Sequence, residues 1–407
     1  MHILVVSQYF WPENFRINDL VTEFCSRGHQ VTVLTGCPNY PAGKIFPEFR
    51  QNPESFERFG NAKIVRVPMI PRGQGALHLA LNYVSFALSA TVLGGWRLHK
   101  ENFDIIFACQ LSPVTSVLPA IFLRYLKKRP IVLWVLDLWP ESLEAIGVIR
   151  SPRILKFVGL LVKYIYNHSD LILAQSRSFI PKIQQYCRPG KRINYFPSWS
   201  DVQFDFTQTI PAKEILHVDG LFSVMFAGNI GDAQDFPAIL DAAERLKDEK
   251  AIRWLIVGDG RCAEWVRSEI ARRGLSHCFL ILGRYSLDRM PSFYMHADAL
   301  LVSLRNEPIF NLTIPGKLQS YLSSGIPVVA MLNGEGADIV RNSGAGLCCP
   351  AGDGSALAAA VQKLSFMSIF DRNVMGARGL DVSKQEFDKA SLISRLLSWF
   401  DEQLASS

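Results

Sequence analysis

The sequence predicts an α/β protein made of two doubly wound, Rossmann-like domains. Short, continuously apolar runs alternate with helix-period segments, the pattern of parallel strands covered by helices on both faces. That pattern runs twice, interrupted over residues 197–220 where periodicity is lost, and 407 residues is a length suited to two such domains. Glycines fall where strands should end, at Gly228, Gly258 and Gly283, and Gly228, ending the first strand of the second half, allows a ligand to approach the backbone closely.

In the first half, strands are expected over residues 3–6, 30–34, 63–67, 104–108, 131–136 and 171–174, with a helix over 16–26 closed by Gly28. In the second half, strands are expected over 222–226, 253–257, 279–282, 299–303 and 326–330. Helices are expected over 237–247, 263–274, 355–364 and 387–403. The resulting organisation is a first domain over 1–200, a second over 201–385 and a terminal helix over 386–407 that packs back toward the first.

Charge is divided unevenly. Residues 1–200 hold 23 Lys+Arg against 12 Asp+Glu, a net of +11, while residues 201–407 hold 20 against 25, a net of −5. A basic half suits either nucleic acid or an anionic membrane face. No helix-turn-helix, RNP or zinc-finger pattern is present, so nucleic acid is not the expected partner. Residues 73–96 are uncharged and bounded by Arg72 and Arg97, long enough to span a bilayer. His78, Asn82, Tyr83 and several serines interrupt the run, so a buried or membrane-apposed helix is expected instead. Residues 149–166 alternate basic with apolar side chains, as an interfacial amphipathic helix does. The eight cysteines show no CxxC and no ligand spacing, the usage of reduced thiols in a cytosolic protein.

The stretch 283–327 is the richest in chemistry. A buried strand and a polar loop lead to Pro315-Gly316-Lys317, which opens a helix. Proline and glycine at a helix start leave backbone N–H groups facing outward, and Lys317 adds a positive charge to the first turn. This is an anion seat at the carboxyl end of a strand, where open α/β sheets bind ligands. The rival doubly wound functions lack their signatures. There is no GxGxxG after the first strand, no GxxxxGK[ST], no nucleophile elbow and no HExxH.

An ordered set of motifs then narrows the reading. These are Tyr9-Phe-Trp-Pro-Glu13, Arg27-Gly-His29, Val31-Thr-Val-Leu-Thr35, Gly36-Cys-Pro-Asn-Tyr-Pro41, Leu136-Asp-Leu-Trp-Pro-Glu141 and Pro315-Gly-Lys317. Together they resemble glycosyltransferase family 4, of the GT-B fold, in its WbuB-like branch. The resemblance implies two Rossmann-like domains facing a cleft, with a C-terminal helix crossing back to the first. It implies transfer of an amino-deoxy sugar, N-acetyl-L-fucosamine, from a UDP-sugar to a polyprenyl-diphosphate-linked saccharide in O-antigen assembly. The enzyme would be cytoplasmic, peripheral on the cytoplasmic face of the inner membrane.

On that resemblance, Gly228, Asn229, Arg284, Gly316, Lys317, Leu318, Gln319 and Ser320 form the donor side, with Lys317 and the 316–318 amides stabilising the diphosphate leaving group. Asp137 binds a donor hydroxyl or orients the acceptor, and Glu13 is the candidate base. Asn14, Arg16, Asn39, Tyr40 and Glu141 fall on the acceptor side, Glu141 alternatively capping a helix. No Asp-x-Asp pair is evident, so neither metal nor another cofactor is expected. The chain departs from the family in lacking its two glutamates eight positions apart, where Leu312 and Ser320 stand; Gln319, Ser320 or Glu307 are the available substitutes. Two other classes stay open: a UDP-sugar epimerase of the same shape, and a non-catalytic membrane scaffold.

Overall fold

The computed structural model describes residues 1–73, 75–145, 151–200 and 209–405. Residues 149–150 of the amphipathic stretch, 201–208 of the expected connection and the last two residues of the terminal segment lie outside these. The chain forms two compact units, Met1–Phe196 with Ile393–Ser407, and Pro197–Leu392.

The first unit is built on an eight-stranded sheet: β1 (His2–Val6), β2 (Gln30–Gly36), β3 (Arg58–Phe59), β4 (Ala62–Val67), β5 (Ile105–Gln110), β6 (Ile131–Val135), β7 (Leu171–Ala174) and β8 (Ile193–Tyr195). The spatial order is β3-β4-β2-β1-β5-β6-β7-β8, and all pairs are parallel except β3 with β4. The order reverses at β1, which pairs with β2 on one side and β5 on the other. Every residue of β5 and β6 is buried, as parallel strands covered on both faces must be. The final helix, Lys389–Ala405, supplies Phe400 to this unit; its ring lies 5.8 Å from those of both Phe24 and Phe107.

The second unit holds six parallel strands: β9 (Phe222–Ala227), β10 (Ile252–Val257), β11 (Phe279–Gly283), β12 (Ala299–Ser303), β13 (Val328–Met331) and β14 (Gly346–Cys349). Their order, β11-β10-β9-β12-β13-β14, is that of a dinucleotide-type doubly wound sheet, with its switch point between β9 and β12. The two parallel-sheet α/β domains read from the sequence are therefore present. Periodicity did not reveal the helix Ile369–Glu386. Its buried positions include Gly376 and Gly379. A Cβ at Gly376 would sit 1.8 Å from the Gly325 carbonyl oxygen, so this helix packs by backbone approach, which leaves little apolar signal.

Three helices of the first unit expose apolar side chains. Leu77, Leu81, Val84, Leu88, Val92 and Trp96 are exposed along one continuous helical run, Leu77–Arg97. The helix Leu118–Lys127 packs against it and against Pro152–His168, and adds exposed Phe122, Tyr125 and Leu126. Pro152–His168 adds Ile154, Phe157, Leu160 and Tyr164, interleaved with exposed Arg153, Lys156 and Lys163. The run Leu77–Arg97 has the length and composition to cross a membrane and is only 28% buried, so it is no ordinary core helix. All eight cysteines are free.

The packing of the last helix yields a stability prediction. Phe400→Ala removes a fully buried ring and should cost about 3–5 kcal/mol. Calorimetry should show the first unit's transition move to lower temperature; an unchanged transition would contradict the packing described.

Candidate functional site

In the second unit the candidate residues gather at the switch point. Ala227, the last residue of β9, donates its N–H to the Tyr321 hydroxyl at 2.9 Å, and that hydroxyl donates back to the Ala227 carbonyl at 3.1 Å. Tyr321 is fully buried in the helix Gly316–Ser323, which follows β12, so it fastens the helix to the strand end. Gly228 comes next with φ 136°, a conformation that favours glycine. A Cβ there would lie 2.4 Å from Lys317 Cε and 2.9 Å from Nζ. The loop after β10 closes from the other side, where a Cβ at Gly258 would lie 1.9 Å from the Gly228 carbonyl oxygen. The glycines therefore let two backbones and one lysine share a volume that side chains would fill.

Lys317 is a half-buried residue whose ammonium nitrogen is buried and, among the described residues, has no hydrogen-bond partner. The nitrogen stands 3.5 Å from the centroid of the Phe226 ring, a cation–π contact. Desolvation pulls its pKa down from 10.5 to about 7. An ammonium kept this way beside the N–H groups of a helix start is ready to receive an anion.

The other donor-side residues are placed unevenly. Asn229 is exposed beside Gly228, its amide 3.4 Å from Gln234 Oε1. Gly316 is exposed at the helix start. The Leu318 N–H donates to the Pro315 carbonyl at 2.8 Å, so of the three amides expected to face an anion only those of Gly316 and Lys317 are left. Gln319 is buried, its amide turned to donate to the carbonyls of Pro315 and Gly316 at 3.2 and 2.9 Å. That orientation leaves its Oε1 as the group able to accept a hydrogen bond. Ser320 is buried one residue on, and Arg284 is exposed directly after β11.

In the first unit the expected carboxylates turn out to hold loops. Glu13 is buried and accepts the backbone N–H groups of Asn39 at 2.7 Å, Tyr40 at 2.6 Å and Phe10 at 3.3 Å. Burial raises its pKa, against the pull of those three N–H groups. A carboxylate saturated by amides from two loops is a brace, and the base role expected of Glu13 does not fit it. Asp137 accepts from Trp139 Nε1 at 3.0 Å and from the Ser142 hydroxyl, so both oxygens are engaged; burial raises its pKa. Glu141 opens the helix Glu141–Ala145. Its Oε2 is buried with no hydrogen-bond partner among the described residues, and burial raises its pKa too. Among the expected acids it is the one with an unspent oxygen.

Asn39 is fully buried and consumed by backbone groups, donating to the Cys37 carbonyl at 2.8 Å and accepting from Arg72 N–H at 2.8 Å. Tyr40 is half-buried, its ring 5.5 Å from that of Tyr9 and 5.1 Å from that of Phe15. Asn14 is exposed, and Arg16 begins the helix Arg16–Ser26 half-buried. Sequence reasoning missed Phe226, Tyr321, Tyr9 and Arg72. Tyr321 stood one helical turn past Lys317, a readable signal; the ring beneath Lys317 had none. Among the described residues no group of three or more His, Cys, Asp or Glu side chains is placed to hold a metal ion.

This geometry has relatives. The family described as Glycosyl transferase 4-like domain matches residues 14–199, and that described as Glycosyl transferases group 1 matches residues 222–365. The chain therefore combines these two domains and is a glycosyltransferase of the GT-B class. WcaI of Escherichia coli (strain K12), named as a glycosyl transferase of colanic acid biosynthesis, is 24% identical over 351 residues, 80% of this chain and 82% of that one. The 2-deoxystreptamine N-acetyl-D-glucosaminyltransferase of Niallia circulans is 25% identical, over 75% of this chain and 77% of that one. Among solved structures, Anabaena HepE in complex with UDP and glucose superposes with a TM-score of 0.67 at 16% identity, covering 99% and 100% of the two chains. WaaG, a glycosyltransferase involved in lipopolysaccharide biosynthesis, gives 0.67 at 12% identity, covering 97% and 98%.

The buried ammonium predicts a stability profile. A folded-state pKa of about 7 against 10.5 unfolded means desolvation destabilises the fold fully below about pH 7 and not at all above 10.5. Lys317→Met should therefore be more stable than wild type at pH 7, by about 0.5–2 kcal/mol, with the gap closing as pH rises toward 10. Urea unfolding at several pH values checks this; a gap independent of pH would contradict it.

Proposed function

We propose that the chain transfers an acetamido-deoxy sugar, N-acetyl-L-fucosamine, from a UDP-sugar to a polyprenyl-diphosphate-linked saccharide. The transfer belongs to bacterial O-antigen or lipopolysaccharide assembly at the cytoplasmic face of the inner membrane. The observation that carries the donor half is Lys317, an unpartnered buried ammonium at the switch point of the second sheet. As the sugar–phosphate bond breaks, negative charge builds on the leaving diphosphate, and a positive charge already desolvated there stabilises it without reorganising. UDP as the leaving group is supported by the HepE complex, and an acetamido sugar by the Niallia relative and by the resemblance of motifs. This chemistry calls on no metal.

The acceptor half rests on the exposed apolar face of the first unit. Three neighbouring helices carry it, with Arg153, Lys156 and Lys163 interleaved, a composition that suits shallow insertion into an anionic leaflet. A lipid-linked acceptor lives at that surface.

The test is transfer by purified protein in liposomes, with UDP-N-acetyl-L-fucosamine, polyprenyl-diphosphate-N-acetylglucosamine and mass spectrometry of the lipid. A product heavier by one acetamido-deoxy sugar supports the reading; no product, from a protein that binds UDP, overturns this donor–acceptor pair. Lys317→Ala should lower turnover about 100-fold or more while the fold is kept. Wild-type turnover in that variant would remove Lys317 from the chemistry. For the membrane, the protein should cosediment with phosphatidylglycerol vesicles better than with phosphatidylcholine vesicles. The double change Phe157→Asp and Leu160→Asp should abolish the binding. Unchanged cosedimentation would place the membrane contact elsewhere.

A further inference from the structure

We infer that Arg72, with the tyrosines around it, forms a binding subsite for the phosphate groups of a lipid diphosphate. The inference deepens the function proposed above and rests on it for the identity of the lipid. Arg72 lies between β4 and the helix Ala76–Ser89, and a relay of buried polar groups fixes its place. Glu13 accepts the Asn39 N–H at 2.7 Å, and the Asn39 side chain accepts the Arg72 N–H at 2.8 Å. The guanidinium lies over the Tyr40 ring, 5.4 Å from its centroid, and near enough to the Tyr9 phenol to pull its pKa down against the effect of burial. The Tyr9 hydroxyl donates to Asn82 Oδ1 at 3.1 Å, which holds the phenol in place.

Several half-buried arginines elsewhere in the chain are paired with a carboxylate: Arg124 with Asp170, Arg273 with Asp241, and Arg372 with Asp298. Arg66 and Arg253 have no carboxylate pair but spend N–H groups on the protein, Arg66 on the carbonyls of Gly36, Trp11 and Phe56, and Arg253 on the Ser223 hydroxyl and the Leu216 carbonyl. Among the described residues Arg72 has no carboxylate partner, and its guanidinium donates to no carbonyl. A planar fork stacked on an aromatic ring, with donors unspent, is matched by phosphate oxygens.

The surroundings choose the class of phosphate. Five residues after Arg72 begins the exposed stripe of Leu77, which is 71% accessible, through Leu81 and Val84 to Leu88, which is 63% accessible. A ligand that joins a diphosphate to a hydrocarbon chain meets both features at once; inorganic phosphate meets only the first. A bulk anionic lipid also meets both, but it needs no fixed, ring-stacked fork.

The experiment is calorimetric binding of farnesyl diphosphate to the full chain at saturating UDP, so that the donor seat is occupied. The wild type should bind it more tightly than inorganic diphosphate. Arg72→Gln should weaken it by about tenfold or more, and Arg72→Lys by less, with UDP affinity kept in both. Binding to phosphatidylglycerol vesicles should be unchanged in Arg72→Gln. Farnesyl diphosphate binding that is absent from wild type, or equal in wild type and Arg72→Gln, overturns the inference. Inorganic diphosphate binding as tightly overturns the lipid part, and vesicle binding lost with Arg72→Gln reassigns the arginine to bulk headgroups. Should Arg72→Gln not fold, unweakened binding by Arg72→Lys decides against the subsite. Failure of sugar transfer by wild type strikes the proposed function, while this binding result stands or falls separately.

Discussion

The second unit depends on keeping one ammonium dry. Lys317 points into a space bounded by the Phe226 ring and Gly228, with no counter-ion among the described residues, and its proton affinity falls accordingly. Much of the local structure serves that placement. Tyr321 pins the helix to the end of β9, Gly228 gives up a side chain for the lysine, and Gly258 gives up one for the Gly228 carbonyl. A charge held at such cost to the fold, at the point where a doubly wound sheet binds its ligand, is preorganised for charge that arrives only with the substrate and grows as the bond breaks.

The first unit handles charge the opposite way. Its buried acids are spent, Glu13 on three backbone amides and Asp137 on Trp139 and Ser142, so that long loops after β1, β2 and β6 keep one conformation. Among the described residues Glu141 keeps one buried oxygen without a hydrogen-bond partner, and Arg72 has no carboxylate partner. Beside them runs an apolar face that a water-exposed domain would normally cover. Rigid loops, a few open polar groups and an adjoining greasy surface suit an acceptor that is itself amphiphilic.

The fold was legible because its signals are local and physical. Continuous apolar runs gave β1, β5, β6, β9 and β12 within a residue or two, and the helix Arg16–Ser26 was read to its ends. Ile369–Glu386 escaped because Gly376 and Gly379 pack by their smallness. In the site, Gly228, Gly316 and Lys317 could be found from strand ends and a helix start. The work of Glu13, Gln319 and Leu318 could not, since it depends on which backbone groups a loop brings within reach. A glutamate in a loop looks the same in sequence whether it meets solvent, substrate or three amides. The stripe from Leu77 to Trp96 was visible, but its continuation through Phe122 and Tyr125 required knowing which helices are neighbours.

The most direct test of the central claim is the titration of Lys317 itself, followed by NMR of carbon-13-labelled lysine with and without UDP, the resonance assigned from Lys317→Met. The account predicts a midpoint near about 7 in the free protein. Once the diphosphate is bound, the midpoint should rise by about two units or more, because a nearby anion favours the charged form. A lysine that titrates at its ordinary value of 10.5 when free, or one indifferent to UDP, would contradict it.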